Sequence, residues 1–174
     1  MKVLALIENA EHVCFRYRLN AMSWALAEQE LLLEALPLGR GFARIASLLQ
    51  ATRAEVVVLQ RKLLPAWQLA ILRRYSKHLV YDFDDALFRR DSFSSKGQLS
   101  SSRLQRFRQT VCTADAVLAG NAYLAQFAST YTDPGLVHLI PTCIEPDWYP
   151  AATHRRTGRR PSAPRPRIHC HRSA

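Results

Sequence analysis

The sequence predicts an α/β domain, a parallel sheet with helices on both faces. Two observations carry that prediction. Short apolar runs alternate about five times with stretches whose apolar residues recur every three or four positions. The runs are apolar throughout rather than at every second residue, which is what strands buried on both faces need. Such strands are joined by crossover helices, and ligands then gather at their carboxyl ends.

Each element follows in order. Residues 2–7 (KVLALI) read as the first strand, stopped by Glu8 and Asn9. Phe15, Leu19, Met22 and Leu26 fall on one face of a helix. Residues 31–38 (LLLEALPL) give the second strand, closed by Pro37 and Gly39, and Phe42, Ile45 and Leu49 mark the second helix. Residues 55–60 (EVVVLQ) form the clearest strand, because three adjacent valines favour an extended, packed backbone. Pro65 suits the first turn of a third helix, with Trp67, Ile71 and Tyr75 on one apolar face. Residues 78–83 (HLVYDF) are the fourth strand, and Leu104, Phe107 and Val111 mark the next helix. A short strand at 116–119 leads to a helix carrying Leu124, Phe127 and Tyr131, and residues 136–140 (LVHLI) are the last strand, stopped by Pro141. Residues 91–102 (DSFSSKGQLSSS) are expected to form a mobile polar loop.

The chain has 174 residues, room for one ordinary domain, and 48% of them are hydrophobic, enough for a sizeable core. Its formal charge of +10 is uneven. All 14 acids lie within residues 1–150, whereas residues 151–174 hold seven arginines and no acid. The body is nearly balanced, so the overall basicity is no argument for nucleic acid as a partner. The four cysteines, Cys14, Cys112, Cys143 and Cys170, form no CxxC pair and read as free thiols in a reducing compartment. The apolar start is too short for a signal peptide, and no apolar run reaches the ~18 residues of a membrane span. The expected location is the cytoplasm.

Four stretches carry candidate chemistry. The first is Asp82-Phe83-Asp84-Asp85, at the end of the fourth strand. In continued strand geometry Asp82 and Asp84 share one face and Asp85 takes the other. Carboxylates this close repel, so the cluster needs a raised pKa or a cationic partner. The plainer reading makes Asp85 a cap for a helical turn starting at Ala86. Asp82-Phe83-Asp84 also resembles the nucleophile and acid/base pair of haloacid-dehalogenase-type phosphatases. That family's small hydroxyl residue is replaced by Ala86, and its motif opens the fold, whereas here three strands precede it.

The second stretch is Cys14-Phe15-Arg16-Tyr17-Arg18, in the first ligand loop. Arg16 and Arg18 around Tyr17 suit a phosphate, a carboxylate or a stacked ring, or they pair with the aspartates. No GxGxxG fingerprint is present. The third is Gly120-Asn121, where a glycine turn and an asparagine cap open a helix. The fourth is HLIPTCIEPDWY, residues 138–149, a strand with a proline stop. His169-Cys170-His171 lacks the second ligand pair a metal site needs and reads as part of a disordered tail.

Taken together, these pieces resemble the amino-terminal half of a GT-B glycosyltransferase, the large retaining group that includes glycogen and sucrose-phosphate synthases. The likeness spans residues 1–149: an arginine-bearing loop (Arg16, Arg18), an acidic strand end (Asp82–Asp85), a D-x-V-hydrophobic-x-(S/G)-N helix start (Asp115–Asn121) and an IP-containing crossing (Ile140–Tyr149). It implies a Rossmann-like domain over residues 1–150 that binds the acceptor, a glycan or lipid-linked molecule, with Arg16, Tyr17, Arg18, Asp82, Asp84, Asp85 and Asn121 as binding candidates. Asp84 and Asp85 are the candidates for catalysis. The donor is a nucleotide sugar acting as co-substrate, held by a second domain, and no metal or other cofactor is expected. Peripheral association with the inner face of a membrane fits a lipid-linked acceptor.

From Ala151 onward the composition turns to Arg, Pro, Ala, Ser and His without periodicity, too little apolar surface to fold alone. Such acid-free text resembles GC-rich DNA read out of frame. The expectation is a frameshift near codon 150 that replaced the nucleotide-sugar domain and left the chain inactive alone. Two other functions remain open at this point. One is a phosphatase using Asp82. The other is a non-catalytic binding domain whose basic tail contacts nucleic acid.

Overall fold

A computed structural model describes residues 1–51 and 53–142 of the chain. Cys143, Cys170, the end of the IP-containing crossing and the tail lie outside the described residues. Six strands form one parallel sheet: β1 (Lys2–Ile7), β2 (Leu32–Pro37), β3 (Val56–Gln60), β4 (His78–Phe83), β5 (Ala116–Ala119) and β6 (Val137–Leu139). Their order is β2-β1-β3-β4-β5-β6. The winding direction reverses between β1 and β3, so the crevice of this Rossmann-like sheet opens above those two strands.

The helices divide unequally between the two faces. α2 (Phe42–Ala51), α3 (Ala66–Tyr75), α4 (Ser101–Thr113) and α5 (Ala122–Ala128) all pack on the face that carries Leu4, Leu59, Tyr81 and Val117. The opposite face, with Val3, Ala5, Ile7 and Val58, is covered by Phe15 and Leu19 of the first helical segment. That segment is irregular: a π-helical turn over Phe15–Leu19, a 3-10 turn over Asn20–Met22, then α1 (Ser23–Glu28). Short π turns often occur where a helix must aim a functional side chain.

The expected inner faces of α4 and α5 are the observed ones, with Phe107, Val111 and Leu124 buried. Those of α2 and α3 are not. Phe42 and Leu49 are exposed, and α2 buries Ser47, Leu48 and Ala51 instead. In α3, Trp67 and Tyr75 face outward while Gln68, Leu69 and Leu72 face the sheet. Both helices carry two apolar stripes, and the one with the smaller side chains fits closer to the strands. Ser47 tolerates burial because its hydroxyl donates to the carbonyls of Pro37 and Ala43, at 3.1 and 3.0 Å.

An aromatic cluster fixes the chain beyond β4. Phe88 stacks on Phe127 with centroids 3.9 Å apart and meets Phe107 edge-on at 5.0 Å. Phe107 in turn contacts Phe83 at 5.2 Å. Such pairs contribute about 0.5–1.5 kcal/mol each beyond area burial. They fold the segment after β4 back over α4 and α5. The Ser-rich stretch that follows, expected to be mobile, is tied down. Arg90 donates to the carbonyls of Lys96 and Leu99, and Asp91 accepts from the Phe93 amide at 2.9 Å.

Candidate functional site

The carboxyl edge of the sheet brings three of the four candidate stretches, and the first residues of the fourth, to one place. In β4, Tyr81 and Phe83 point into the larger core, so Asp82 points the other way, under the first helical segment. The π turn there sends Arg18 inward and leaves Arg16 outside. Arg18 and Asp82 form an ion pair at 2.6 Å with both side chains fully buried. Arg18 Nε also donates to both Asp82 oxygens, at 3.1 and 3.3 Å. Its remaining nitrogen, Nη1, donates to the Ile140 carbonyl at 2.8 Å and to Thr142 Oγ1 at 3.4 Å.

Gln60 completes this cluster. It lies beside Asp82 in the β3–β4 register, so the two side chains share a face. Its Nε2 donates to Asp82 Oδ2 at 3.0 Å and to the Cys14 carbonyl at 3.3 Å. The buried charges are thereby paired and hydrogen-bonded, the condition under which burial of an ion pair is tolerated.

Above this buried tier sits a half-exposed one built on Arg61. Its φ of +54° lies in the left-handed region, which costs a non-glycine residue roughly 1–2 kcal/mol. Its amide donates to the Asp82 carbonyl at 2.8 Å, which continues the ladder for one more residue. The turn aims the guanidinium across the end of β4. Nη1 donates to Asp84 Oδ1 at 2.6 Å and to Cys14 Sγ at 2.7 Å, and Nη2 donates to Asp85 Oδ2 at 3.1 Å. Burial pulls the Arg61 pKa down, but Asp84, Cys14 and Asp85 outweigh it and the net shift is upward. Burial, then the Asp84 carboxylate, pushes the Cys14 thiol up to about 11. At the rim, the hydrogen bond from Lys62 to Glu8, 2.8 Å long, holds that carboxyl below the usual range.

Gly120 lets the tiers meet. A Cβ on this residue would lie 2.9 Å from Asp84 Cα and 3.1 Å from Arg18 Nη1. Asn121 then caps α5, its Oδ1 accepting from the Leu124 amide at 2.9 Å.

The candidate residues therefore fall into distinct places. Arg18 and Asp82 are interior, with their polar atoms taken up by each other, by Gln60, by the Ile140 carbonyl and by Thr142, so they hold the edge together. The three aspartates do not follow strand alternation, because the strand ends at Phe83 and both Asp84 and Asp85 turn to Arg61. Asp85 does not cap a turn at Ala86, since its carboxylate is committed to that arginine; it is also the most exposed acid of the three, at 67%. Arg16 is exposed, its guanidinium 5.7 Å from the centre of the Tyr17 ring, and Asn121 is exposed at the start of α5. A nucleophile must reach its substrate, and fully buried Asp82, bonded by Arg18 and Gln60, offers no approach to a phosphoester.

Sequence reasoning places the loop from Gln60 to Leu64 at the carboxyl edge but does not single out Gln60 and Arg61, the residues that tie the cluster together. The signal was present as a polar Gln-Arg-Lys directly after the valine strand, at the carboxyl edge. Among the described residues no group of three His, Cys, Asp or Glu side chains converges as metal ligands would, and no helix is long and apolar enough to cross a membrane. No family model matches the chain, and no curated protein matches it.

Proposed function

We propose that this chain is the acceptor-side half of a retaining GT-B glycosyltransferase, transferring sugar from a nucleotide sugar to a glycan or lipid-linked acceptor together with a donor-binding domain. One observation carries the reading. The stretches that carry the sequence likeness, up to 122 residues apart, meet around Arg18. The arginine-bearing loop supplies Arg18, the acidic strand end supplies Asp82, the helix start supplies Gly120, and the beginning of the IP-containing crossing supplies Ile140. Their meeting point lies at the carboxyl edge of the sheet, where α/β proteins hold ligands.

In this reading Asp85, with Asp84 behind it, accepts hydrogen bonds from acceptor hydroxyls. Arg61 holds both carboxylates in place, and Arg18 and Asp82 fix the floor beneath them. The second domain grips the leaving diphosphate, so neither wall of the cleft suffices for turnover. No metal or further cofactor is needed by this scheme.

The test supplies the other wall. The 174-residue chain is assayed with nucleotide sugars and candidate acceptors, alone and with a nucleotide-sugar-binding domain of a related enzyme added or fused at Tyr149. Transfer is expected only when that domain is supplied. Robust turnover by the chain alone overturns the division of labour. Phosphoester hydrolysis abolished by Asp82→Asn would overturn the reading in favour of a phosphatase. Salt-sensitive binding to nucleic acid, lost on removal of residues 151–174 and unaccompanied by any glycan binding, would favour the third alternative.

A further inference from the structure

Beside the aspartate cluster lies a cavity of about 460 Å³, within the roughly 300–1,000 Å³ usual for ligand pockets. Its polar lining is Arg61, Arg90, Arg103, Arg106, Ser100 and Ser102, with no carboxylate among the described residues. A second cavity of about 530 Å³ adjoins it through Arg61, Arg90 and Arg103, and its lining includes Asp85 and Asp91.

The charges of this lining are unevenly compensated. Arg61 is matched by Asp84 and Asp85. Arg90 donates to the backbone carbonyls of residues 96, 97 and 99, and Arg103 to that of Arg89, at 2.8 Å. Carbonyls satisfy hydrogens but leave the positive charge in place. Arg106 has no ion pair or side-chain hydrogen bond among the described residues.

The arrangement is also unfavourable to its own helix. Arg103 lies in the first turn of α4, which contains no acid, so its charge opposes the helix dipole. Arg103 and Arg106 stand three residues apart, a spacing at which like charges repel. The amides of Ser101 and Ser102 come before the first intrahelical bond and have no helical acceptor. An anion in the cavity answers all three features. It neutralises the arginines, accepts from the free amides and aligns with the dipole.

We propose that this arginine-lined cavity binds a phosphoryl or diphosphoryl group. The acidic rim and the basic cavity then take the hydroxyl and phosphate ends of one ligand, so the acceptor of the proposed transfer is a phosphorylated one, an extension that rests on the acceptor-side reading. The phosphoryl group comes either from a soluble sugar phosphate or from a lipid phosphate. Phe93 and Leu99, 94% and 81% exposed on the neighbouring loop, offer apolar contact to the second.

Inorganic pyrophosphate titrated into the full chain, followed by calorimetry and amide NMR, tests the site. Saturable binding is expected, with shifts at residues 101–106, weakened about tenfold or more by Arg106→Gln and further by Arg103→Gln. These variants keep the arginines of residues 151–174, so binding unchanged by them, or without shifts at 101–106, overturns the site. A parallel arm compares phosphatidylcholine vesicles with and without polyprenyl phosphate. Vesicle binding that needs the lipid phosphate and Arg106 assigns a lipid source, pyrophosphate binding alone assigns a soluble one, and neither overturns the proposal. Pyrophosphate binding requires no second domain and no nucleotide sugar. Binding without transfer in the complemented assay removes the glycosyltransferase reading and leaves the site. Transfer insensitive to Arg106→Gln removes the site's part in acceptor binding and leaves the reading.

Discussion

Truncating Arg18 to alanine leaves the Asp82 carboxylate in the interior with Gln60 as its remaining side-chain partner. Breaking a buried pair on one side costs about 3–5 kcal/mol, a large share of a domain's stability. Arg18→Ala and Asp82→Ala should each lower the urea midpoint accordingly, whereas the joint exchange Arg18→Met with Asp82→Leu should recover most of the loss. Cys14 gives a second test. Its thiol is raised from an ordinary 9.0 to about 11, so the folded state holds the proton more tightly than the unfolded one. That contribution to stability is complete below pH 9 and is lost as the pH climbs towards 11. At pH 8 iodoacetamide should label Cys14 about a hundredfold more slowly than in the unfolded chain, as mass spectrometry would read. Asp84→Asn, which removes the second cause, should speed it. The aspartates were legible as a site because three acids after an apolar run demand partners. Arg61 was not, because a loop's position follows from topology, whereas the direction of its side chain depends on one left-handed residue.

The junction of β5 and α5 separates two kinds of local requirement. Gly120→Ala puts a methyl group against the Asp84 backbone, where nothing flexible can yield, and should cost about 1–3 kcal/mol. Asn121→Ala removes only a cap and should cost about 1 kcal/mol. Thermal unfolding of the two variants should keep that order, and a glycine substitution as mild as the cap loss would show that the close approach relaxes. Among the elements, strands were the most readable from sequence. Residues 78–83 and 116–119 have the expected bounds, because a strand buried on two faces leaves little freedom in composition. The inner faces of α2 and α3 were hidden by rival stripes. Size decided between them, and the large residues Phe42 and Trp67 went outside.

At the scale of the molecule, every strand pairing among the described residues is parallel and so requires a crossover. Such non-local pairing slows folding, and stopped-flow refolding of this chain is expected in milliseconds to seconds rather than microseconds. The parallel sheet itself was legible from the alternation of runs. The reversal of order between β1 and β3 was not, since periodicity carries no information about which strand lies beside which. The contact between Arg18 and Ile140 governs how such a sheet comes apart. β6 is an edge strand only three residues long, and directly beyond it the Ile140 carbonyl is held by Arg18 from the first loop. The guanidinium thus works as a latch that ties the last strand to the opening segment of the chain. A pull on the backbone beyond residue 142 is resisted first by that buried charge and not by the few rungs of the edge, so the sheet should peel from this side only after the latch gives way.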